Sequence, residues 1–306
     1  MGIGIDLGGT AIKGGIVNHR GVIQEERRVK TQSQMGYDRV VSDLAALINE
    51  LVQLSPEETT VGIGIPGILS GDGSTVVSCP NLNWKNKALK QDLEAVLALE
   101  VLLVNDATAA CIAEAAFGST RGRTSSVLLT LGTGVGGGVI INDRIISGAH
   151  GVASEAGHMI MEENFYDCNC GKNGCLETFA SATALIRYCQ KQLDEGVESE
   201  LKKDDTYDAK RIFDAAKAGD VLALAAVNRL AKYLGWAISN INDLIDPGIF
   251  VIGGGLSEAG DFLLNRIQAS AKSCLTYPQY AMPEIVLATF RNEAGLIGAA
   301  NLRQFI

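Results

Sequence analysis

Three times in this chain an apolar run ends in a glycine bend: "IDLGGTAIKGGIV" at 5–17, "LTLGTGVGGGVII" at 129–141 and "IFVIGGG" at 249–255. The first two both place glycines and a threonine at the turn of an apolar hairpin, an echo consistent with two repeated halves. A tight bend of this kind exposes successive backbone N–H groups and forms a concavity that takes anions. Glycine suits it because a Cβ would block an approaching phosphate oxygen and disfavour positive φ. Any one bend, alone, is equally a hairpin turn or bulge. Three of them, each closing an apolar strand, point to phosphate binding. The net charge is −9, with 35 acidic against 26 basic residues, so an anion must be held by local dipoles against an unfavourable field. No run of Lys or Arg forms a patch, which argues against a nucleic-acid partner.

The remaining pattern alternates strand and helix. "GYDRVVSDLAALINELVQL" at 36–54 spaces its apolar residues by three and four and predicts an amphipathic helix. "TTVGIGIPG" and "VLLV" at 101–104 read as buried strands. "DATAACIAEAAFG" reads as an alanine-rich helix ending at Gly118, and the chain after the cysteines turns mainly helical. An α/β fold is expected. "GTGVGG" and "GIGIPG" both match G-x-G-x-x-G, but neither is followed by a helix, so neither is a dinucleotide fingerprint. No P-loop pattern occurs. The charged stretch at 194–210 is expected to be a solvated helix face or loop.

"MGIGIDLGG" lacks the basic segment and long apolar run of a signal peptide, and no apolar segment reaches the eighteen or so residues of a membrane span. Of seven cysteines, Cys79, Cys111, Cys189 and Cys274 are scattered singly, which reads as reduced thiols and a cytoplasmic location.

The other three cysteines lie in "GHMIMEENFYDCNCGKNGCLE", spaced His158-x9-Cys168-x-Cys170-x4-Cys175. One imidazole and three thiolates make a closed Cys3His zinc set with no open position, so the metal is expected to be structural. Glu155 and Glu177 flank the group. Held by a zinc knot, they and the second ring nitrogen of His158 could clamp a polyhydroxylated ligand; otherwise they are surface glutamates beside a staple. Asp6 occupies a strand of Ile and Leu, where a carboxylate needs a cation or donors. Beside a phosphate loop that cation is expected to be Mg²⁺, held through water. Asn105-Asp106 stands where a strand meets a helix, so Asp106 is either an N-cap or a general base for phosphoryl transfer.

"GIDLGGTAIKGGIV", "LGTGVGGG", "EAGH" and "CNCGKNGCLE" together resemble the ROK family of sugar kinases, and the resemblance extends to "NEAGLIGAA" near the end. It implies an actin-like ATPase (ribonuclease H-like, duplicated) fold with two domains around a central cleft. The smaller is expected at 1–117 plus 293–306, and the larger at 118–292 with the zinc-binding loop. It also implies ATP contacts from Asp6, Gly8, Gly9, Thr10, Lys13, Gly132, Thr133, Gly134, Gly253, Gly254 and Gly255. Sugar contacts would come from Gly67, Asn81, Asn105, Asp106, Glu155, His158 and Glu177, with Asp106 the base. Zinc would sit on His158, Cys168, Cys170 and Cys175, and Mg²⁺ near Asp6. A homodimer or dimer of dimers is the family expectation.

"NLNWKN" and "ETFASATAL" resemble the glucokinase branch, so the expected activity is ATP-dependent phosphorylation of glucose at its 6-hydroxyl. Ser154 departs from the pattern, where glycine is expected before the glutamate. Alternatives are a kinase for N-acetylmannosamine, N-acetylglucosamine, fructose or a glucoside, a sugar-binding sensor without catalysis, and an actin-like ATPase that drives assembly.

Overall fold

The computed structural model describes residues 1–202, 207–279 and 282–306, so part of the charged 194–210 stretch lies outside the described residues. The chain forms two compact units. The first comprises 1–128, 138–154 and 289–306, and the second 129–137 and 155–288. These boundaries differ from the expected 1–117 plus 293–306 and 118–292, because the division falls inside two strands and not at the end of the alanine-rich helix.

In chain order the first unit begins with β1 (Gly2–Leu7), β2 (Ala11–Val17), β3 (Ile23–Lys30), α1 (Tyr37–Leu54) and β4 (Thr60–Ile65). Short strands β5 (Ile68–Leu69), β6 (Val76–Cys79) and β7 (Trp84–Lys87) form a separate antiparallel sheet. Then come α2 (Leu89–Glu94), β8 (Glu100–Asn105) and α3 (Asp106–Phe117). The main sheet has the order β3-β2-β1-β4-β8, with β1, β4 and β8 parallel.

Strand alternation explains how this sheet is covered. Ile3, Ile5 and Leu7 of β1 share one hydrophobic core with Val61, Ile63 and Ile65 of β4. Val40, Leu44, Leu47, Ile48 and Leu51 of α1, at the helical spacing, complete it. The opposite face carries Gly2, Gly4 and Asp6 on β1 and Gly62 and Gly64 on β4. Asp6 therefore does not interrupt the Ile/Leu face; it belongs to the glycine face.

After β9 (Ser126–Leu131), β10 (Val135–Ile141) and β11 (Arg144–Ile145), the second unit holds α4 (Glu177–Ala180), α5 (Ala182–Asp194), α6 (Ala209–Ala218) and α7 (Val221–Ile245). It continues with β12 (Ile249–Gly253), α8 (Asp261–Cys274) and β13 (Glu284–Leu287). The second sheet has the order β11-β10-β9-β12-β13. By length and composition α7 could cross a membrane, contrary to the expectation that no segment would. Yet 61% of its apolar window is buried in the protein, as befits the core helix of its unit.

The last helix, α9 (Ala294–Ala300), returns to the first unit and lies on the glycine face. A Cβ on Gly4 would stand 2.1 Å from the Leu296 carbonyl oxygen, and one on Gly62 1.9 Å from that of Ala299. On the other side of α9, a Cβ on Gly298 would stand 1.7 Å from the Ala109 carbonyl of α3. Sheet, α9 and α3 thus meet backbone to backbone. The buried carboxylate of Glu114 pins the same layer, accepting from Ser119 N at 2.7 Å, Ser119 Oγ at 2.8 Å and Phe290 N at 2.8 Å. It also explains Gly118, whose φ of −105° is ordinary. A Cβ there would meet Glu114 Oε2 at 2.2 Å.

Gly62→Ala is expected to lower unfolding free energy by about 2–3 kcal/mol in urea titration, because the added methyl meets fixed backbone. Gly64→Ala on the same strand, whose Cβ would find only 3.6 Å contacts, should be neutral or slightly stabilising.

Candidate active site

In the first unit the predicted residues gather at the C-terminal ends of the three parallel strands. Asp6 pairs in register with Gly64, and Ile65 with Asn105, so Asp6 and Asn105-Asp106 lie along one edge with β4 between them. Open α/β sheets place ligands at this edge, because loops and helix N-termini there leave backbone donors unpaired.

The cation beside Asp6 is Lys13 on β2, its Nζ 3.4 Å from Asp6 Oδ2 and donating to the Asn292 carbonyl at 3.2 Å. The N-terminal turn of α9 closes on the same carboxylate, with a Cβ on Gly295 falling 3.2 Å from Asp6 Cγ.

The first bend, Gly8-Gly9-Thr10, is braced by Thr31, a buried residue that no sequence pattern singled out. Thr31 N donates to the Thr10 carbonyl at 3.0 Å and its hydroxyl to the Gly8 carbonyl at 2.7 Å. Bonded that way, the loop's carbonyls are occupied from behind. Asn81 stands next to this bend, since a Cβ on Gly9 would lie 3.4 Å from its carbonyl oxygen.

Asn105, not Asp106, caps α3. Its Oδ1 accepts from Ala107 N at 2.9 Å and Thr108 N at 3.2 Å, and its Nδ2 donates to the Gly67 carbonyl at 3.2 Å. Asp106 opens the helix and accepts from Ala107 N at 2.8 Å. Gly67, Asn105 and Asp106 are therefore one group.

In the second unit the bend Gly132-Thr133-Gly134 is tied to α5. Ala182 N donates to the Gly132 carbonyl at 2.8 Å and Thr183 Oγ1 to the Thr133 carbonyl at 2.8 Å. Glu177, first residue of α4, reaches the same bend and accepts from Val135 N at 3.1 Å. A Cβ on Gly134 would stand 2.0 Å from Glu177 Oε2. Thr133, Gly134 and Glu177 line an open pocket together with Cys168 and Arg187.

Of the glycines in the three bends only Gly254 has positive φ, at 78°. The expected need for left-handed backbone thus fails at the first two bends. Gly134 is needed because a carboxylate fills the place of its side chain. Gly254 also packs tightly: a Cβ there would be 2.5 Å from the Leu131 carbonyl at the end of β9. Gly253 is buried in β12, whereas Gly254 and Gly255 are exposed.

The four soft donors converge. One ligand atom each from His158, Cys168, Cys170 and Cys175 lies within 4.8 Å of the others. Cys170 and Cys175 sulfurs are 3.6 Å apart, and Cys168 Sγ is 3.7 Å from His158 Nδ1. A tetrahedral ion with bonds of about 2.3 Å needs edges of about 3.8 Å, so the set fits a metal ion. Burial pushes the Cys168 thiol up to about 12, whereas the backbone N–H of Lys172 holds Cys170 below its usual range. A cation is what would let all three ionise together. His158 turns its other nitrogen, Nε2, toward Glu155 at 3.9 Å, and Cys168 Sγ lies 3.6 Å from Glu177 Oε1. Both glutamates are thus next to the cluster, as their flanking positions suggested.

Ser154, before Glu155, has a φ of 67°. That is the backbone that favours glycine, which accounts for the glycine expected there. The serine is held by its hydroxyl donating to the Ile146 carbonyl at 3.3 Å.

Known proteins resemble this chain over its whole length. A glucokinase from Halalkalibacterium halodurans is 36% identical, over 97% of this chain and 92% of its own. An N-acetylgalactosamine kinase from a Shewanella species is 33% identical, over 99% and 96%. The crystal structure of a ROK family glucokinase from Streptomyces griseus, in complex with glucose and AMPPNP, is 33% identical and matches 99% of both chains with a TM-score of 0.81. The ROK family model itself matches residues 2–305. The chain therefore belongs to the ROK family and has its actin-like α/β ATPase fold.

Proposed function

We infer that this protein is an ATP-dependent glucokinase that phosphorylates the 6-hydroxyl of glucose. The full-length likeness to glucokinases supports the activity. The observation that carries the assignment of roles is the cap of α3. Asn105 is the residue that caps α3, so Asp106 keeps only part of that load, a bond from Ala107 N, and is set at the strand edge that also carries Asp6.

In this reading Asp106 accepts the proton of the 6-hydroxyl as its oxygen bonds to the γ-phosphorus, and the bond to the ADP oxygen breaks. The transition state of such transfer is loose, so orienting the hydroxyl counts for more than strong basicity. Gly67, Asn81, Asn105, Glu155, His158 and Glu177 hold the sugar. The bends at Gly8–Thr10, Gly132–Gly134 and Gly253–Gly255 hold ATP, with donors fixed in advance of the reaction. Mg²⁺ bound near Asp6, through water, would offset charge developing on the phosphates. Lys13 supplies a resident positive charge at that place. Zinc on His158, Cys168, Cys170 and Cys175 would be structural, ordering the stretch that carries Glu155 and Glu177.

The N-acetylgalactosamine kinase relative keeps a second sugar class in view. A panel of glucose, mannose, fructose and N-acetylated hexosamines, read as ADP formed with Mg²⁺-ATP, is expected to give the highest kcat/KM for glucose. A preference for an N-acetylated sugar would replace the substrate and keep the mechanism. Sugar binding without ADP formation would mark a sensor.

Asp106→Asn should lower kcat by about 10²–10⁴-fold while ATP affinity, measured by calorimetry, stays near the wild-type value. Near-normal turnover would remove Asp106 from the role of base. Cys175→Ser should reduce zinc, measured by mass spectrometry, from about one per chain to a small fraction, and lower kcat/KM for the sugar at least about tenfold.

A further inference from the structure

We propose that Arg229, on α7, is a positioning residue for the sugar site, acting through Asn164 to set the turn that carries Glu177. This rests on the reading of Glu177 as a sugar ligand.

Arg229 is a half-buried charge set among aromatic rings, and the Glu162 carboxylate, which accepts from Tyr233 Oη at 2.6 Å, acts on it electrostatically. Its guanidinium carbon stands 4.6 Å from the ring centroid of Phe179, 4.9 Å from that of Tyr188 and 5.3 Å from that of Tyr233. These ring faces stabilise the cation. Nη2 donates to Asn164 Oδ1 at 3.0 Å.

An arginine can only donate, so it selects which end of the Asn164 amide faces it. The oxygen is turned to Arg229 and to Phe165 N, at 2.9 Å. The Nδ2 donors are then left to bind the Thr178 carbonyl at 2.8 Å and its Oγ1 at 2.9 Å. Thr178 follows Glu177 directly and is tied back to the cluster through its hydroxyl, which donates to the Cys175 carbonyl at 2.7 Å. The backbone of Asn164 is in turn paired with the side chain of Asn173, inside the cysteine loop, at 2.7 and 2.9 Å.

The helix α4 has only four residues, so its own hydrogen bonds cannot hold the orientation of Glu177. The metal cluster fixes the chain before Glu177, at Cys175. The Arg229–Asn164 pair fixes it after, at Thr178. These anchors on either side, with Tyr166 Oη also donating to the Thr178 carbonyl at 2.9 Å, determine where the Glu177 carboxylate stands against Val135 N.

The test is a set of variants measured for sugar and ATP kinetics, zinc content and hydrogen exchange over residues 164–180. Arg229→Met and Asn164→Ala are each expected to lower kcat/KM for glucose about tenfold, with the KM for ATP changed less than about twofold and zinc retained. The double variant should be no worse than Asn164→Ala, because both act along one line. Asn164→Asp is the more telling change. It keeps an acceptor for Arg229 and strengthens that pair, but it loses the donor to Thr178, so it should lose activity toward glucose as the others do.

Losses that multiply in the double variant would overturn the proposal. So would wild-type kcat/KM in Asn164→Asp, which would leave Arg229 a purely structural charge. If Arg229→Met fails to fold, Asn164→Asp decides the matter alone. Should the unaltered protein phosphorylate no sugar, the functional reading fails. Faster exchange at 177–179 in Arg229→Met would then still support Arg229 as the residue that sets this turn, and unchanged exchange would overturn it.

Discussion

Backbone-to-backbone contact across glycines governs the first unit. β1 and β4 present Gly2, Gly4 and Gly62 to α9, and α9 presents Gly298 to α3, so three layers approach closer than any side chain allows. Two consequences follow. The N-terminal turn of α9 comes down on Asp6, and α3 sits where its cap, Asn105, ends the neighbouring parallel strand. A methyl group at Gly62 would push α9 out of this stack. The positions of Asp106, the candidate base, and of Asp6 are therefore both set by contacts along α9 and α3, away from the strand edge itself.

The second unit orders its functional residues by a different device. From 159 to 176 the chain has almost no regular structure, only isolated bridges at Ile160–Cys175 and Asp167–Asn173. Four soft side chains, His158, Cys168, Cys170 and Cys175, converge there with donor atoms within 4.8 Å of one another. Hydrogen bonds from Asn164, Asn173 and Tyr166 then distribute that order to the peptide carrying Glu177. A polar site built on such a stretch gains rigidity without burying its carboxylates, which must stay open to a ligand.

These two arrangements support a single chemical description. Phosphoryl transfer asks little covalent work of the protein and much positioning. Each unit supplies fixed donors and fixed acceptors: glycine bends braced from behind by Thr31 and Thr183, and carboxylates beside a helix cap or beside the cysteine-rich loop. Lys13 beside Asp6 places one positive charge next to the first glycine bend in a protein whose net charge is −9.

Local chemistry made much of this legible in the sequence. The strand–glycine–strand units, the amphipathic α1, the end of α3 at Gly118 and the Cys3His set all depend on neighbours a few residues apart, and those were readable. The candidate metal ligands span only eighteen positions, and their softness is a property of residue type. What only tertiary structure decided depends on partners far along the chain. Glycine on β1 is required by a helix near residue 300, Gly134 by a carboxylate at 177, and the first glycine bend is braced by Thr31. Whether Asn105 or Asp106 caps α3 could not be read from adjacent letters, since either side chain suits that position and only the backbone direction chooses. The role proposed for Arg229 was equally hidden, because nothing in an apolar helix says which three rings and which amide will surround its half-buried arginine. Residue type and short-range spacing determined what this chain could bind, and packing between distant segments decided where each group would stand to bind it.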